Sequence, residues 1–180
     1  VPEVTLIVLT WNAAQFLSDC LATALVQDYP NFSVMVVDNG STDDTVQLVR
    51  EQYPMMQVIE NRANLGFAGG NNVGLRLATS AFVVLINPDV VLAPDWLSQL
   101  IAAMAEDSTV GIAGCKVYYP GGRILQHAGG YVTFPQALPG HYGLSAIDRG
   151  QYDQVRDVDY VIGAAMAIRR EVVESIGLFD

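Results

Sequence analysis

Buried-strand and amphipathic-helix patterns alternate along the first two-thirds of the chain. Residues 4–10 form a continuous apolar run, which is typical of a strand covered on both faces. Residues 14–27 repeat apolar side chains at helical spacing and predict a helix. The same alternation predicts strands at 32–37, 58–59 and 82–86, and helices at 68–79 and from Pro94 to about residue 105. Another helix is expected after Ser41 or Thr42, either of which can cap it, with Asp43 and Asp44 in its first turn. The pattern predicts an α/β fold with a mostly parallel sheet flanked by helices.

The alternation ends after residue 110. Residues 112–119, 122–133 and 159–168 have strand-like patterns, so a small mixed β region is expected there. Residues 134–156 show little periodicity and few apolar anchors, which predicts a long mobile loop. We interpret residues 1–180 as a single domain, with a first part at 1–110 and a second part at 111–180.

Composition and charge narrow the classes of partner. Hydrophobic residues make up 51% of the 180 residues and charged residues 16%, which is enough for a buried core. The net charge is −10 and Lys116 is the only lysine, so binding of nucleic acid is not expected. No apolar run is long enough to span a bilayer. Cys20 and Cys115 lie far apart in the sequence and are expected to be buried thiols in a reducing cytoplasm.

Polar side chains follow each of the four predicted parallel strands. They are Thr10 and Asn12, then Asp38 and Asn39, then Asn61 and Asn64, and finally Asn87 and Asp89. Such residues also favour turns, but ligands of open parallel sheets bind where the strands end. Four polar ends at one edge therefore predict a site for a ligand with many hydrogen-bonding groups.

Two of these segments carry further chemistry. Residues 66–74 are rich in glycine and lead into a helix, which suits either close approach to an anionic ligand or tight helix–strand packing. Asp89 directly follows a buried strand and suits either a hard cation such as Mg²⁺ or Mn²⁺, or a plain Pro-Asp turn. His127 and His141 are near no Cys or Glu cluster, and we expect them on the surface or in loops.

Four segments in this order resemble the family 2 glycosyltransferases: residues 4–12, 36–43, 64–72 and 85–89. The resemblance extends into residues 160–171 and 177–180, and it is closest to the branch that includes rhamnosyltransferases of cell-surface polysaccharide synthesis. It implies an A-type glycosyltransferase fold. It also implies an inverting transfer of a sugar from a UDP- or dTDP-linked donor to a hydroxyl group of a saccharide or lipid-linked acceptor.

The resemblance also assigns roles to single residues. It places Thr10, Asn12, Asp38, Asn64, Gly66, Asn71 and Asn87 at the nucleotide, Asp89 on a Mg or Mn ion, and Gly163 and Ala164 near the donor sugar and acceptor. Asp38 is expected to read the base edge. Asn87 replaces the first Asp of the family's Asp-x-Asp motif, which argues against contact between Asn87 and the metal.

The same resemblance divides the chain by role. Residues 1–110 correspond to the part that binds the nucleotide sugar, and residues 111–180 to the beginning of the acceptor side. The family's general base lies in a Glu-Asp motif that follows the Phe-Asp found at residues 179–180. The base is therefore expected after Asp180, and residues 1–180 alone are expected to be C-terminally incomplete and inactive.

Two other functions remain open at this point. One is a non-catalytic module that binds sugar nucleotides. The other is a sugar-1-phosphate nucleotidyltransferase, which would need a glycine-rich signature with Arg and Lys after the first strand, where residues 10–13 read Thr-Trp-Asn-Ala. We expect a cytoplasmic protein, and peripheral association with the inner face of the membrane is compatible with the sequence.

Overall fold

A computed structural model describes all 180 residues. Its strands are β1 (Val4–Thr10), β2 (Phe32–Asp38), β3 (Gln57–Glu60), β4 (Phe82–Ile86), β5 (Ile112–Gly114), β6 (Val117–Tyr118), β7 (Leu125–His127), β8 (Gly130–Thr133), β9 (Leu138–His141) and β10 (Ala165–Arg169). Its helices are α1 (Ala14–Leu25), α2 (Thr45–Gln52), α3 (Gly66–Leu77), α4 (Trp96–Glu106) and α5 (Arg170–Ile176). None of these helices has the length and apolar character needed to cross a membrane.

Six strands form the main sheet in the order β3-β2-β1-β4-β10-β5. Strands β1 to β4 are parallel to one another, as predicted. Helices cover both faces. Val4, Leu6 and Val8 of β1 pack with buried residues of α1, α2 and α4, whereas Ile7 packs on the opposite face with α3 and α5. Because both faces are buried, the strands are apolar throughout, and the predicted helix-flanked sheet is confirmed.

The second part of the chain also contributes to this sheet. Strand β10 lies between β4 and β5 and runs antiparallel to both. The remaining short strands form two antiparallel pairs, β6 with β7 and β8 with β9. The mixed region after residue 110 is therefore confirmed, although its strands are shorter than the sequence pattern indicates.

Two arginines at the end of β10 hold the C-terminal ends of two helices. Arg169 donates from Nη2 to the carbonyl of Met104 in α4, at 2.6 Å. Arg170 donates from Nη1 to the carbonyl of Leu75 in α3, at 2.9 Å, and to that of Ala78. The last carbonyls of a helix have no partner within the helix, and a cation there also suits the helix dipole. These contacts fix α3 and α4 at the amino-terminal edge of the central strands.

Residues 134–156, predicted to form a long mobile loop, contain a strand and several polar and aromatic contacts. The segment contains β9, and Lys116 contacts the carboxylates of Asp148, at 2.7 Å, and Asp153, at 2.5 Å. The guanidinium of Arg156 lies 3.9 Å from the ring centre of Tyr142 and 4.9 Å from that of Tyr152. The anchors are aromatic and charged side chains without periodic spacing, so hydrophobic periodicity did not reveal them.

The expectation of surface or loop roles for both histidines is also wrong. His127 is 1% exposed, and its Nδ1 lies 2.7 Å from Nδ1 of His141. Tyr160 stands beside both rings, with centroids 6.1 Å and 5.7 Å away. Strands β7 and β9 bring the two histidines together although 14 positions separate them in the sequence.

His127 should make the protein less stable between pH 6.5 and pH 4. Burial, together with the neighbouring His141, lowers the pKa of His127 from 6.5 to about 4. The unfolded chain therefore takes up a proton in this range that the folded chain does not, so the free energy of unfolding falls as the pH falls. We expect a loss of up to ~2 kcal/mol and a flatter profile for His127→Leu. Urea unfolding at stepped pH checks this, and identical profiles for both proteins would contradict it.

Candidate functional site

The polar residues predicted at the strand ends meet at one edge of the sheet. Thr10 at the end of β1 is in register with Asp38 at the end of β2, and Asp38 is in register with Glu60 of β3. Asn87 directly follows β4, the other neighbour of β1. The loops that leave these strands, residues 11–13, 39–44, 61–65 and 87–95, therefore border a common surface. We call this surface the carboxyl edge, and it is the candidate site.

Asn12 joins the first two loops of the carboxyl edge. Its backbone N–H donates to Oγ of Ser41, at 2.9 Å, and its Oδ1 accepts the N–H of Thr42, at 2.8 Å. Asn12 has a φ of 48°, in the left-handed region that Asn tolerates better than most residues. Ser41 and Thr42 thus face the β1 loop, and α2 begins only at Thr45. The prediction that one of them caps α2 is wrong.

The start of α1 is held by side chains from the loop after β2 and from the first residue of α2. The N–H of Ala13 donates to Oγ1 of Thr45, at 2.9 Å, and the N–H of Ala14 donates to Oδ2 of Asp43, at 3.2 Å. The Thr45 hydroxyl donates to the other oxygen of Asp43. Burial raises the pKa of Asp43, but these hydrogen bonds outweigh it and hold the pKa below its usual value. We call residues 12–14 and 41–45 together the loop clasp.

Asp38 is 2% exposed and already accepts three hydrogen bonds. Its Oδ2 accepts the N–H groups of Gly40, at 3.0 Å, and Ser41, at 2.9 Å, while its Oδ1 accepts the Ser41 hydroxyl at 2.5 Å. A carboxylate offers about four lone-pair positions, so Oδ1 can accept one more hydrogen bond. The loop thus fixes the direction of this remaining acceptor.

Asn39 connects the loop after β2 to the loop before α3. Its Nδ2 donates to the carbonyl of Gly66, at 3.0 Å, and to Oδ1 of Asn64, at 3.3 Å, while its Oδ1 accepts from Asn61 at 2.9 Å. Oδ1 of Asn64 also accepts the N–H of Gly66, whose φ is 70°. Sequence reasoning noted Asn39 and Asn61 at strand ends but did not assign them to the site. Position in the sequence does not distinguish a residue that holds a loop from one that faces a ligand.

Two buried oxygens at the carboxyl edge have no partner within the protein. One is Oγ1 of Thr10 at the end of β1. The other is Oδ1 of Asn71 in α3, a residue that is 1% exposed and whose Nδ2 donates to the carbonyl of Phe67 at 3.0 Å. Buried polar groups nearly always have partners, so each unpaired one calls for an explanation, and a bound polar ligand would supply one here.

The end of β4 brings the remaining predicted residues together. The N–H of Asn87 donates to the carbonyl of Ala164 at 2.8 Å. Gly163 lies against the ring of Phe67, and any Cβ at position 163 would collide with that ring. Asp89 is exposed. The site thus includes Phe67, which sequence reasoning did not assign, because only the close approach of two distant segments reveals its place.

Cys20 of α1 lies beneath the turn that carries Asp89. Its Sγ lies 3.5 Å from the carbonyl oxygen of Asn87. Burial, and to a lesser degree the charge of Asp89, raises the pKa of Cys20 to about 12, so the thiol stays protonated. Both cysteines are free, as predicted, with Cys20 buried and Cys115 partly buried. Nowhere do three or more His, Cys, Asp or Glu residues form a cluster able to hold a metal ion.

A family profile and two curated proteins match most of the chain. The profile of glycosyl transferase family 2 matches residues 5–177. The chain is 30% identical over 189 residues to the O-antigen biosynthesis protein RfbC of Myxococcus xanthus, covering 99% of the chain and 15% of that protein. It is 24% identical over 195 residues to the N-acetylglucosaminyl-diphospho-decaprenol L-rhamnosyltransferase of Mycobacterium tuberculosis, covering 97% of the chain and 64% of that protein.

A solved structure has the same fold. It is the mannosyltransferase PcManGT from Pyrobaculum calidifontis in complex with GDP-Man and Mn²⁺, with a TM-score of 0.72 and 28% identity. The match covers 99% of the chain and 48% of the solved chain. The A-type glycosyltransferase fold is therefore confirmed. The chain spans about half the length of this neighbour and a smaller share of the Myxococcus protein.

The loop clasp should contribute measurably to stability. Thr45→Val removes the acceptor for the buried N–H of Ala13 while keeping the side-chain shape. Leaving such a donor unpaired costs ~1–3 kcal/mol of unfolding free energy. Thr42→Val, at an exposed position, is the matched control and should cost less than ~0.5 kcal/mol. Urea unfolding compares the two variants, and equal losses would show that the hydrogen bond from Ala13 to Thr45 is not the cause.

Proposed function

The chain belongs to glycosyl transferase family 2, and we propose that the protein transfers a sugar, with inversion, from a UDP- or dTDP-linked donor to a hydroxyl acceptor. One observation carries the proposal: the polar residues after four parallel strands border one carboxyl edge, in the order that the family resemblance assigns to the nucleotide sugar. The acceptor is a saccharide or lipid-linked saccharide of cell-surface polysaccharide or glycolipid synthesis. The names of the Myxococcus and Mycobacterium relatives support this acceptor class. Such a protein would act in the cytoplasm at the inner face of the membrane.

The nucleotide would lie across the ends of β1, β2 and β4. Asp38 has one acceptor position left for the ring N–H of uracil or thymine. The unpaired oxygens of Thr10 and Asn71 support a polar ligand at this edge. Asn12, Asn64 and Gly66 would shape the pocket, because the loop clasp and Asn39 fix their positions. Asn87 would lie near the ribose.

Asp89 fits a divalent cation that is shared with the ligand. Mg²⁺ and Mn²⁺ with substrate phosphates use one or two protein carboxylates rather than a complete protein cage. Asp89 offers one exposed carboxylate directly after β4, which suits that arrangement. The bound ion would neutralise negative charge on the leaving diphosphate. The Mn²⁺ and GDP-Man in the mannosyltransferase neighbour support this proposal.

We propose that the general base lies C-terminal to Asp180 in a longer protein. Asp38 and Asp43 already accept several hydrogen bonds from within the protein, and Asp89 is assigned to the metal. Gly163 and Ala164 would border the donor sugar and acceptor. A positioned base contributes roughly 10²–10⁴-fold to deprotonation of a hydroxyl nucleophile. Residues 1–180 alone would therefore bind the nucleotide without transferring the sugar.

Asp89→Ala should remove the metal-dependent part of nucleotide affinity. Calorimetry of UDP binding with and without Mn²⁺ measures this part, and we expect a loss of ~10-fold or more, or about 1.4 kcal/mol. Asn87→Ala is the matched control at the same turn and should keep the Mn²⁺ effect. A full Mn²⁺ effect in Asp89→Ala would exclude this carboxylate as the metal ligand.

Asp38→Asn should weaken the preference for pyrimidine nucleotides. The substitution keeps one oxygen for the N–H groups of Gly40 and Ser41 but replaces the other acceptor with an NH₂ donor. UDP and dTDP should bind the unaltered protein more tightly than GDP or ADP, and the variant should lose ~1–3 kcal/mol of that preference. Calorimetry with all four nucleotides tests this. Equal binding of UDP and ADP, or tighter binding of GDP, by the unaltered protein would overturn the base assignment.

A further inference from the structure

We propose that Asn72 is a positioning residue that ties the segment 177–180 to α3, the helix that contains Gly66 and Asn71 of the proposed nucleotide site. This inference rests on the proposed function, because it concerns how the acceptor side is placed relative to the nucleotide. Asn72 is 7% exposed, and its contacts cross 107 positions of sequence.

The side-chain amide of Asn72 pairs with both backbone groups of one residue of the segment. Its Nδ2 donates to the carbonyl of Phe179 at 2.7 Å, and its Oδ1 accepts the N–H of Phe179 at 3.0 Å. A carboxamide is the side chain that offers a donor and an acceptor side by side, as a neighbouring strand would. Asn72 therefore fixes both the position and the direction of the backbone at Phe179.

Phe179 extends this contact toward the acceptor side of the site. Its ring meets the ring of Phe67 edge to face, with centroids 6.2 Å apart and planes at 63°. The ring of Phe67 in turn lies on Gly163, where no Cβ fits. Asn72, Phe179, Phe67 and Gly163 thus form a continuous line of contacts, which we call the Phe179 junction. The junction links α3 to both segments assigned to the acceptor side.

The neighbouring residue Asn71 has a different orientation. Consecutive helix positions differ by about 100° around the axis, since a turn has 3.6 residues. Asn71 bonds the carbonyl of Phe67 and leaves Oδ1 unpaired, whereas both amide groups of Asn72 are used by Phe179. The two amides therefore have different roles. The free Oδ1 of Asn71 is available to the nucleotide, whereas Asn72 holds the Phe179 junction. Loss of the Asn72 contacts should leave nucleotide affinity intact and disturb the geometry needed for transfer.

The test compares Asn72→Asp and Asn72→Gln with Asn31→Asp in the full-length protein. The aspartate loses the donor to Phe179, and the glutamine keeps both groups but shifts them by one methylene. Asn31 is the matched control, because its Nδ2 also donates to a backbone carbonyl, that of Val1, at 3.1 Å and at the opposite edge of the sheet. Three quantities are measured: calorimetric affinity for UDP with Mn²⁺, hydrogen exchange at the Phe179 amide, and nucleotide release from UDP-N-acetylglucosamine, UDP-glucose, dTDP-rhamnose and GDP-mannose.

In both Asn72 variants we expect faster hydrogen exchange at the backbone N–H of Phe179 and a kcat that is ~10- to 100-fold lower. Their affinity for UDP should stay within about twofold of that of the unaltered protein. Asn31→Asp should change none of the three. An unchanged kcat, or a loss of UDP affinity that matches the loss of kcat, would overturn the positioning role. If the unaltered protein neither binds nor turns over any of these nucleotides, the proposed function fails instead. If Asn72→Asp does not fold, Asn72→Gln decides alone.

Discussion

The first amide groups of α1 lack partners in their own segment, and the carboxyl edge is built around this constraint. Ala13 precedes the helix and has no side chain that could cap it. Thr45 and Asp43 supply the acceptors instead, from a loop some 30 positions later in the sequence. Because the N–H groups of Ala13 and Ala14 find their acceptors there, the loops after β1 and β2 are held in contact. The polar groups of the site thus stand on loops whose positions are set by obligatory backbone hydrogen bonds.

Asp38 lies at the centre of the resulting network. Ser41 joins its carboxylate to the loop after β1, and the adjacent Asn39 joins the same strand end to the loop before α3. Three loops are therefore connected through three consecutive strand ends, and the sheet beneath them is buried on both faces. Such a scaffold positions ligand-binding groups before any ligand arrives, which limits the ordering cost of binding. The unpaired oxygens, Oγ1 of Thr10 and Oδ1 of Asn71, lie on a strand and a helix of this scaffold rather than on its loops.

The main sheet and the meeting of polar strand ends at one edge follow from the sequence, because hydrophobic periodicity and strand-end polarity are local signals. The same signals do not predict the contacts of Asn39, of Asn72 or of the His127–His141 pair, whose partners lie 14 to 107 positions away. They also misplace the cap of α2, since Ser41 has a typical capping side chain that is used by Asn12 instead. The contacts of residues 134–156 were missed for a related reason, because Lys116 binds Asp148 by charge and Arg156 stacks on Tyr142 within the segment. Hydrophobic periodicity predicts which face of a helix or strand is buried. It does not predict which polar side chains from distant segments form hydrogen bonds with each other.

The charges around the carboxyl edge constrain how it can hold a diphosphate, the ligand proposed for it. Among the loops 11–13, 39–44, 61–65 and 87–95, Arg62 is the only Lys or Arg, whereas these loops and Asp38 carry several carboxylates. Other cations are engaged elsewhere: Arg169 and Arg170 hold helix ends at the opposite edge, and Lys116 contacts Asp148 and Asp153. One arginine cannot balance a diphosphate together with these carboxylates, because like charges at short range repel. Under the proposed function, binding would therefore draw on backbone N–H groups at the start of α3 and on a cation that arrives with the ligand. Asp89 would then recruit positive charge to an acidic surface, and nucleotide affinity would depend on the concentration of divalent metal.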